Sequence, residues 1–296
     1  SGGRKRPALL LVSSLVLLLA LLTVAGCGDS GKAGGENGRG PDVVVTTSHL
    51  VDIARNVAGD RLIVEGLMPP GIDPHSFQPT PSQVETIIDS RVIIVDVFGL
   101  APMVDELIQS TVEAHQVVVE AAAGITPRRA DEGDPADEDE GHGHESSDID
   151  PHFWLDPVNV NTYVENIRTA FTQIDPEGAA TYGANAQAYT EQLQGLDEWI
   201  REQIEQIPAE RRLLVTNHES LGYLAERYGL TVVGTVFGST SAEGAPSARH
   251  LASLIETVRS SGAPAIFVET GSNSDLAAQV ARETGVELVT DLYTHS

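Results

Sequence analysis

Nine histidines are spread along the 296 residues, and three stand where a side chain is held firmly enough to bind something. His75 lies in Pro69-Pro70-Gly71-Ile72-Asp73-Pro74-His75-Ser76-Phe77-Gln78-Pro79-Thr80-Pro81, a loop whose prolines restrict the backbone. His152 lies in a second proline-clamped loop, Asp150-Pro151-His152-Phe153-Trp154-Leu155-Asp156-Pro157. His218 follows an apolar run, in Thr216-Asn217-His218-Glu219-Ser220, where a helix is expected to start. One histidine at a strand end is ordinarily a hydrogen-bonded structural residue. Three of them in stiff or strand-terminal loops point to metal binding, because neutral imidazoles suit zinc and a rigid ligand set selects geometry.

The surrounding pattern supplies the frame for such loops. Short β-branched runs at 43–46, 62–67, 92–95 and 117–120 read as strands, with helices at 50–58, 82–89 and 102–114 between them. Pro81 and Pro102 suit first-turn positions of helices, where a missing N–H costs little. The strands are mostly apolar without alternation, as expected of a sheet covered on both faces. A second set repeats the grammar, with strands at 213–216, 232–236, 265–268 and 287–290 and helices at 220–228, 247–261 and 274–284. Residues 158–174 and 177–207 carry helical spacing between the two sets. The expected fold is α/β: two lobes, each a mainly parallel four-stranded sheet flanked by helices, joined by a long linker helix. Ligand sites in open α/β sheets lie beyond the carboxyl ends of strands, and all three histidines suit such places.

The chain divides into residues 42–157 as a first lobe, 158–210 as linking helices and 211–296 as a second lobe. Ahead of them, Arg4, Lys5 and Arg6 precede an apolar stretch at 8–24, the layout of a secretory signal over residues 1–26. The stretch ends in Val24-Ala25-Gly26-Cys27, which resembles a bacterial lipobox, and Cys27 is the chain's single cysteine. Lipidation at Cys27 is therefore expected, with 27–41 as a glycine-rich tether and no internal disulfide. The formal net charge of −25 disfavours nucleic acid and anionic lipid headgroups as partners. Residues 131–150 hold ten acids with His142 and His144, and 130–150 reads as a solvated loop. It is either a hydrophilic insertion or a weak accessory metal loop.

Taken together, Asp73-Pro74-His75 with Gln78-Pro79-Thr80, then 150–157, then Asn217-His218-Glu219-Ser220-Leu221-Gly222-Tyr223 resemble three motifs of one family. It is the metal-binding solute-binding proteins of bacterial zinc and manganese ABC importers, and the acidic histidine loop is similar to the zinc branch. The resemblance runs from Asp42 to the end. It implies a metal site in the cleft between the lobes, with His75, His152 and His218 as ligands. Where the family carries a final carboxylate, the run Leu292-Tyr293-Thr294-His295-Ser296 presents His295, with Asp291 as the alternative fourth ligand. Glu269 matches a family glutamate near the site, where orienting a histidine is expected over direct ligation. The resemblance also implies a closing loop and a C-terminal helix that would follow Ser296.

The function expected is that of an extracytoplasmic, lipid-anchored monomer on the cell surface or periplasmic face. It captures Zn²⁺ for an ABC permease, with Mn²⁺ or iron as the alternative cargo. Three or four imidazoles favour zinc, whereas manganese favours carboxylate oxygen. Neutral imidazole is required, so release is expected as pH falls toward about 5–6. A metallohydrolase would need an open coordination position and a general base. No HExxH run and no GxSxG elbow occur, and Glu219 is the acid beside a candidate ligand. A surface adhesin is compatible with the anchor but leaves the histidines unexplained.

Overall fold

The computed structural model describes residues 41–129, 149–238 and 245–295. Cys27, the signal and nearly all of the tether, His142 and His144 lie outside the described residues.

The first lobe is a four-stranded parallel sheet in the order β2-β1-β3-β4. Its strands are β1 (Val43–Val45), β2 (Val64–Gly66), β3 (Val92–Val95) and β4 (Val117–Glu120). Because successive side chains alternate faces, Val43, Val45, Val92 and Ile94 enter one core while Val44, Ile93 and Val95 enter another. That split explains the unbroken apolar runs. The first core is closed by α1 (Ser48–Ala58), α4 (Pro157–Ile174) and α5 (Ala179–Glu205), through residues such as Leu50, Ile53, Tyr163, Phe171 and Tyr182. The second is closed by α2 (Pro81–Asp89) and α3 (Pro102–Thr111), through Ile87, Val104 and Ile108. α4 and the first half of α5 thus pack into the first lobe's core as well as leading out of it. At 27 residues, α5 spans about 40 Å.

The second lobe repeats the topology as β6-β5-β7-β8, again wholly parallel. Its strands are β5 (Leu213–Thr216), β6 (Thr231–Thr235), β7 (Ala265–Glu269) and β8 (Glu287–Leu292). Its helices are α6 (Gly222–Tyr228), α7 (Ala248–Ser261) and α8 (Asp275–Thr284). Val215, Ile266 and Val268 pack under Leu254, Val258, Ala277 and Val280 of α7 and α8. Cover on both faces, expected from the apolar strands, is met in the first lobe. In the second, Leu214 and Phe267 remain half-buried and line an open cavity with Ile207, Pro208 and Leu230.

Element limits differ from the expected ones for local reasons. The helix expected from residue 220 begins at Gly222, because Ser220 turns back on the carbonyl of His218 (3.0 Å). The helix expected to reach 114 ends at Thr111, where Val112 goes extended (φ −59°, ψ 133°). The strand expected over 62–67 pairs only at Val64–Gly66.

Candidate metal centre

Each loop carrying a predicted histidine is fixed by its own neighbours. Asp73 caps the short 3-10 turn Pro74–Ser76 and accepts the backbone N–H of His75 at 2.9 Å. The far end of that loop is tied down by Gln83, whose Oε1 accepts from Thr80 N (2.8 Å) while its Nε2 donates to the carbonyl of Leu67 (2.6 Å). Asp150 repeats the device: its Oδ1 accepts the backbone N–H of His152 (3.0 Å) and also Nδ1 of the ring (2.8 Å). Asp156 then caps α4 through Val158 N at 2.8 Å. After β5, Thr216 Oγ1 donates to the carbonyl of His218 at 2.8 Å. Ser220 Oγ donates to Glu269 Oε1 (2.9 Å), which stands 3.4 Å from Nδ1 of His218, a close approach short of hydrogen-bond geometry.

The segment after β8 is held to the first lobe by its main chain. Trp154 Nε1 donates to the carbonyl of Thr294 (2.8 Å), and Ser48 Oγ donates to that of His295 (2.6 Å). His49 stacks on Trp154 with ring centroids 4.2 Å apart, and its Nε2 pairs with Asp96 at 2.5 Å.

These constraints bring His75, His152, His218 and His295 together, each offering one nitrogen, with all four nitrogens within 4.8 Å of one another. His152 is fully buried, and His75 and His218 nearly so. His295 is partly open as a residue, but its Nε2 is buried and has no hydrogen-bond partner. Asp291 is exposed in β8 and is not in the group; Glu269 stands behind His218. With its Nδ1–H given to Asp150, His152 presents an unprotonated Nε2, the tautomer following from the carboxylate. That Nε2 lies 3.4 Å from Nε2 of His75 and 3.4 Å from Nε2 of His218. One lone pair cannot point at two donors at once, so protons serve this cluster poorly and a single cation at its centre would serve it well.

Burial governs the charge states. It pushes His75 down to about 4, with the charge of His218 adding to it and Asp73 and Glu269 opposing. His152 and His295 are also held far below an ordinary imidazole, by burial first and then by neighbouring histidines. Burial thus makes His75, His152 and His295 harder to protonate than an ordinary imidazole. Burial raises Asp150 to about 6, against the opposing His152 N–H and Arg128. Glu269, although burial pushes it up, ends below its ordinary value through His218 and Ser220.

Asp150, Arg128, Ser48 and Trp154 were not singled out from the sequence. The signal for Asp150 was present, since Asp-Pro-His occurs twice, at 73–75 and 150–152, and both aspartates do the same work. Nothing local marked Arg128 or Ser48, whose partners are distant in the chain.

Two parallel-sheet lobes joined by a long helix, with a buried imidazole cluster at the strand ends between them, define a metal-binding solute-binding protein. The chain belongs to the family described as zinc-uptake complex component A, periplasmic (ZnuA), whose model matches residues 43–296. It is 34% identical over 281 residues to the manganese-binding lipoprotein MntA of Halalkalibacterium halodurans, covering 95% of this chain and 88% of that one. It is 32% identical over 280 residues to the zinc-binding lipoprotein AdcA of Streptococcus pneumoniae, covering 93% of this chain and 54% of that one. Its fold is similar to that of the periplasmic zinc-binding protein TroA from Treponema pallidum, with a TM-score of 0.76, 25% identity, and 87% and 90% of the two chains covered.

Proposed function

We propose that this protein is an extracytoplasmic substrate-binding lipoprotein that captures Zn²⁺ and delivers it to the membrane permease of an ABC importer. His75, His152, His218 and His295 are the ligands, Glu269 steadies His218, and Cys27 carries the lipid. The carrying observation is the convergence of four imidazole nitrogens within 4.8 Å. A tetrahedral zinc site with Zn–N bonds of about 2.0–2.1 Å has N···N edges of about 3.3–3.4 Å. The separations of 3.4 Å from His152 to His75 and to His218 fit such edges before any adjustment. Four nitrogen ligands close the coordination shell, leaving no position at which to activate water, and Glu219 is engaged by Arg128 at 2.7 Å. This argues for a binding protein and not an enzyme.

Manganese is the second reading, favoured by the relative MntA, whose name gives it as manganese-binding. The ligand chemistry opposes it, since manganese prefers carboxylate and water oxygen over imidazole. Zinc outbinds manganese at almost any nitrogen or oxygen site, so delivery, not competition, separates the two. Cells that lose and regain this protein together with its permease should lose and regain uptake of radiolabelled zinc and growth under zinc chelation. Loss and recovery of manganese uptake alone would transfer the assignment to manganese.

A further inference from the structure

Arg128 is the point at which the supports of two histidines from different lobes meet. Its Nη1 lies 2.7 Å from Oε1 of Glu219, the residue after His218 in the second lobe. The same nitrogen lies 3.3 Å from Oδ2 of Asp150, in the first lobe. Asp150 uses its other oxygen, Oδ1, to hold both the backbone N–H and the ring Nδ1 of His152.

The main chain around this contact is fixed too. Arg128 N donates to the hydroxyl of Tyr223 (2.9 Å), which donates to the carbonyl of Asp150 (3.0 Å), and Asp150 N donates to the carbonyl of Arg128 (3.0 Å). Gly222 makes room for the guanidinium. A Cβ there would stand 2.3 Å from Nη1 and 2.6 Å from both Cζ of Arg128 and Oδ2 of Asp150. Asp150 is fully buried and Glu219 nearly so, so each carboxylate requires a partner, and one cation is shared between them.

We propose that Arg128 is a positioning residue of the metal site, tying the carboxylate that orients His152 to Glu219 beside His218 and so coupling the two lobes' ligands. The inference rests on the metal-capture reading above. Loss of the guanidinium removes the contact that Asp150 and Glu219 share, and the ligand pair His152–His218 loses that brace. A partner behind the ligands is worth about 10–100-fold in affinity at metal sites of this kind.

The test compares Arg128→Gln, Arg128→Lys and Glu219→Gln with the parent in the full chain. Zinc release is timed with a chromophoric chelator, and the visible spectrum of bound Co²⁺ reports coordination geometry. Expected for Arg128→Gln is release about 10-fold faster with an altered cobalt band, substantially recovered by Arg128→Lys, which keeps the charge. Glu219→Gln, which leaves the Asp150 side intact, is expected to show a smaller effect of the same kind. Parental release and an unchanged cobalt band in Arg128→Gln would overturn the proposal. So would equal defects in Arg128→Gln and Arg128→Lys, the mark of a packing role only. Should Arg128→Gln fail to fold, Glu219→Gln carries the test, because it weakens one side of the tie and leaves Asp150 untouched; faster release is expected, and parental release would contradict the proposal. Failure of the parent itself to bind stoichiometric zinc or cobalt would sink the metal-capture reading, a distinct result from parental behaviour in the variants.

Discussion

The main chains of Gly71 and Gly271 pass so closely that a Cβ on Gly271 would stand 2.3 Å from the carbonyl oxygen of Gly71. Gly71 lies in the loop that carries His75, and Gly271 follows Glu269 at the end of β7. The two lobes therefore touch, backbone to backbone, beside the loops that hold the site. Gly271 also has φ +87°, a conformation that costs any residue with a Cβ.

Gly271→Ala is expected to hold the lobes apart and weaken zinc binding by about 10-fold, equivalent to about 1.4 kcal/mol. Isothermal titration with a small-angle scattering profile checks this: a larger radius of gyration should accompany the lost affinity. Affinity and radius both equal to the parent's would show that the contact does not govern closure.

His295 and Asp291 make opposite predictions. His295 places a buried, unpartnered Nε2 in the cluster, while Asp291 is exposed in β8. Asp291→Asn should leave zinc affinity within about 2-fold. His295→Ala should cost more than the about 100-fold upper range seen for residues behind the ligands. His295→Asp should retain binding while raising the relative affinity for manganese, because it adds an oxygen donor. The reverse ranking of Asp291→Asn and His295→Ala would make Asp291 the fourth ligand.

The metal-free protein should lose stability as pH falls from 7 to 6. Burial lowers His75 from about 6.5 to about 4, and His152 and His295 move the same way. The unfolded chain then binds more protons than the folded one below about 6.5, so acidification favours unfolding until the folded rings themselves titrate. Asp105 and Asp150, each raised by burial to about 6, act with the opposite sign, stabilising the fold as pH drops through that value. Between pH 7 and 6 the carboxyls are only partly protonated and the three imidazoles outweigh them. A thermal midpoint of the apoprotein that rises between pH 7 and 6 would contradict these burial effects.

Excision of 130–148 should leave the tight site intact and abolish weaker additional binding. The flanking residues are already joined, by an antiparallel bridge between Arg129 and Ile149 and by Asp150 N to Arg128 O at 3.0 Å. A short linker can close the gap without moving Asp150. Equilibrium dialysis over a range of zinc concentrations decides the matter; loss of the tight site would place the segment within it.

Much of the frame was legible because it rests on local rules. Val43–Val45 and Val92–Val95 announce a sheet buried on both faces, and Pro81 and Pro102 mark the helix starts at α2 and α3. His75, His152 and His218 stood out because proline-held loops and a strand end isolate them, whereas His295 came only from the family resemblance, with Asp291 as its rival. What escaped notice depends on contacts between distant segments. Ser48 is 247 residues from His295, and Arg128 is 91 from Glu219, so no window of sequence displays either pair. The half-open face at Leu214 and Phe267 was likewise invisible, because an apolar strand reads the same whether its second face is covered or not.

If four imidazoles hold one zinc ion, X-ray absorption at the zinc edge of the loaded protein should see them. A first shell of four nitrogens at about 2.0–2.1 Å, with the outer-shell scattering of four imidazole rings and the loss of one ring in His295→Ala, is the result predicted. A shell dominated by oxygen, or a spectrum unchanged in His295→Ala, would contradict it.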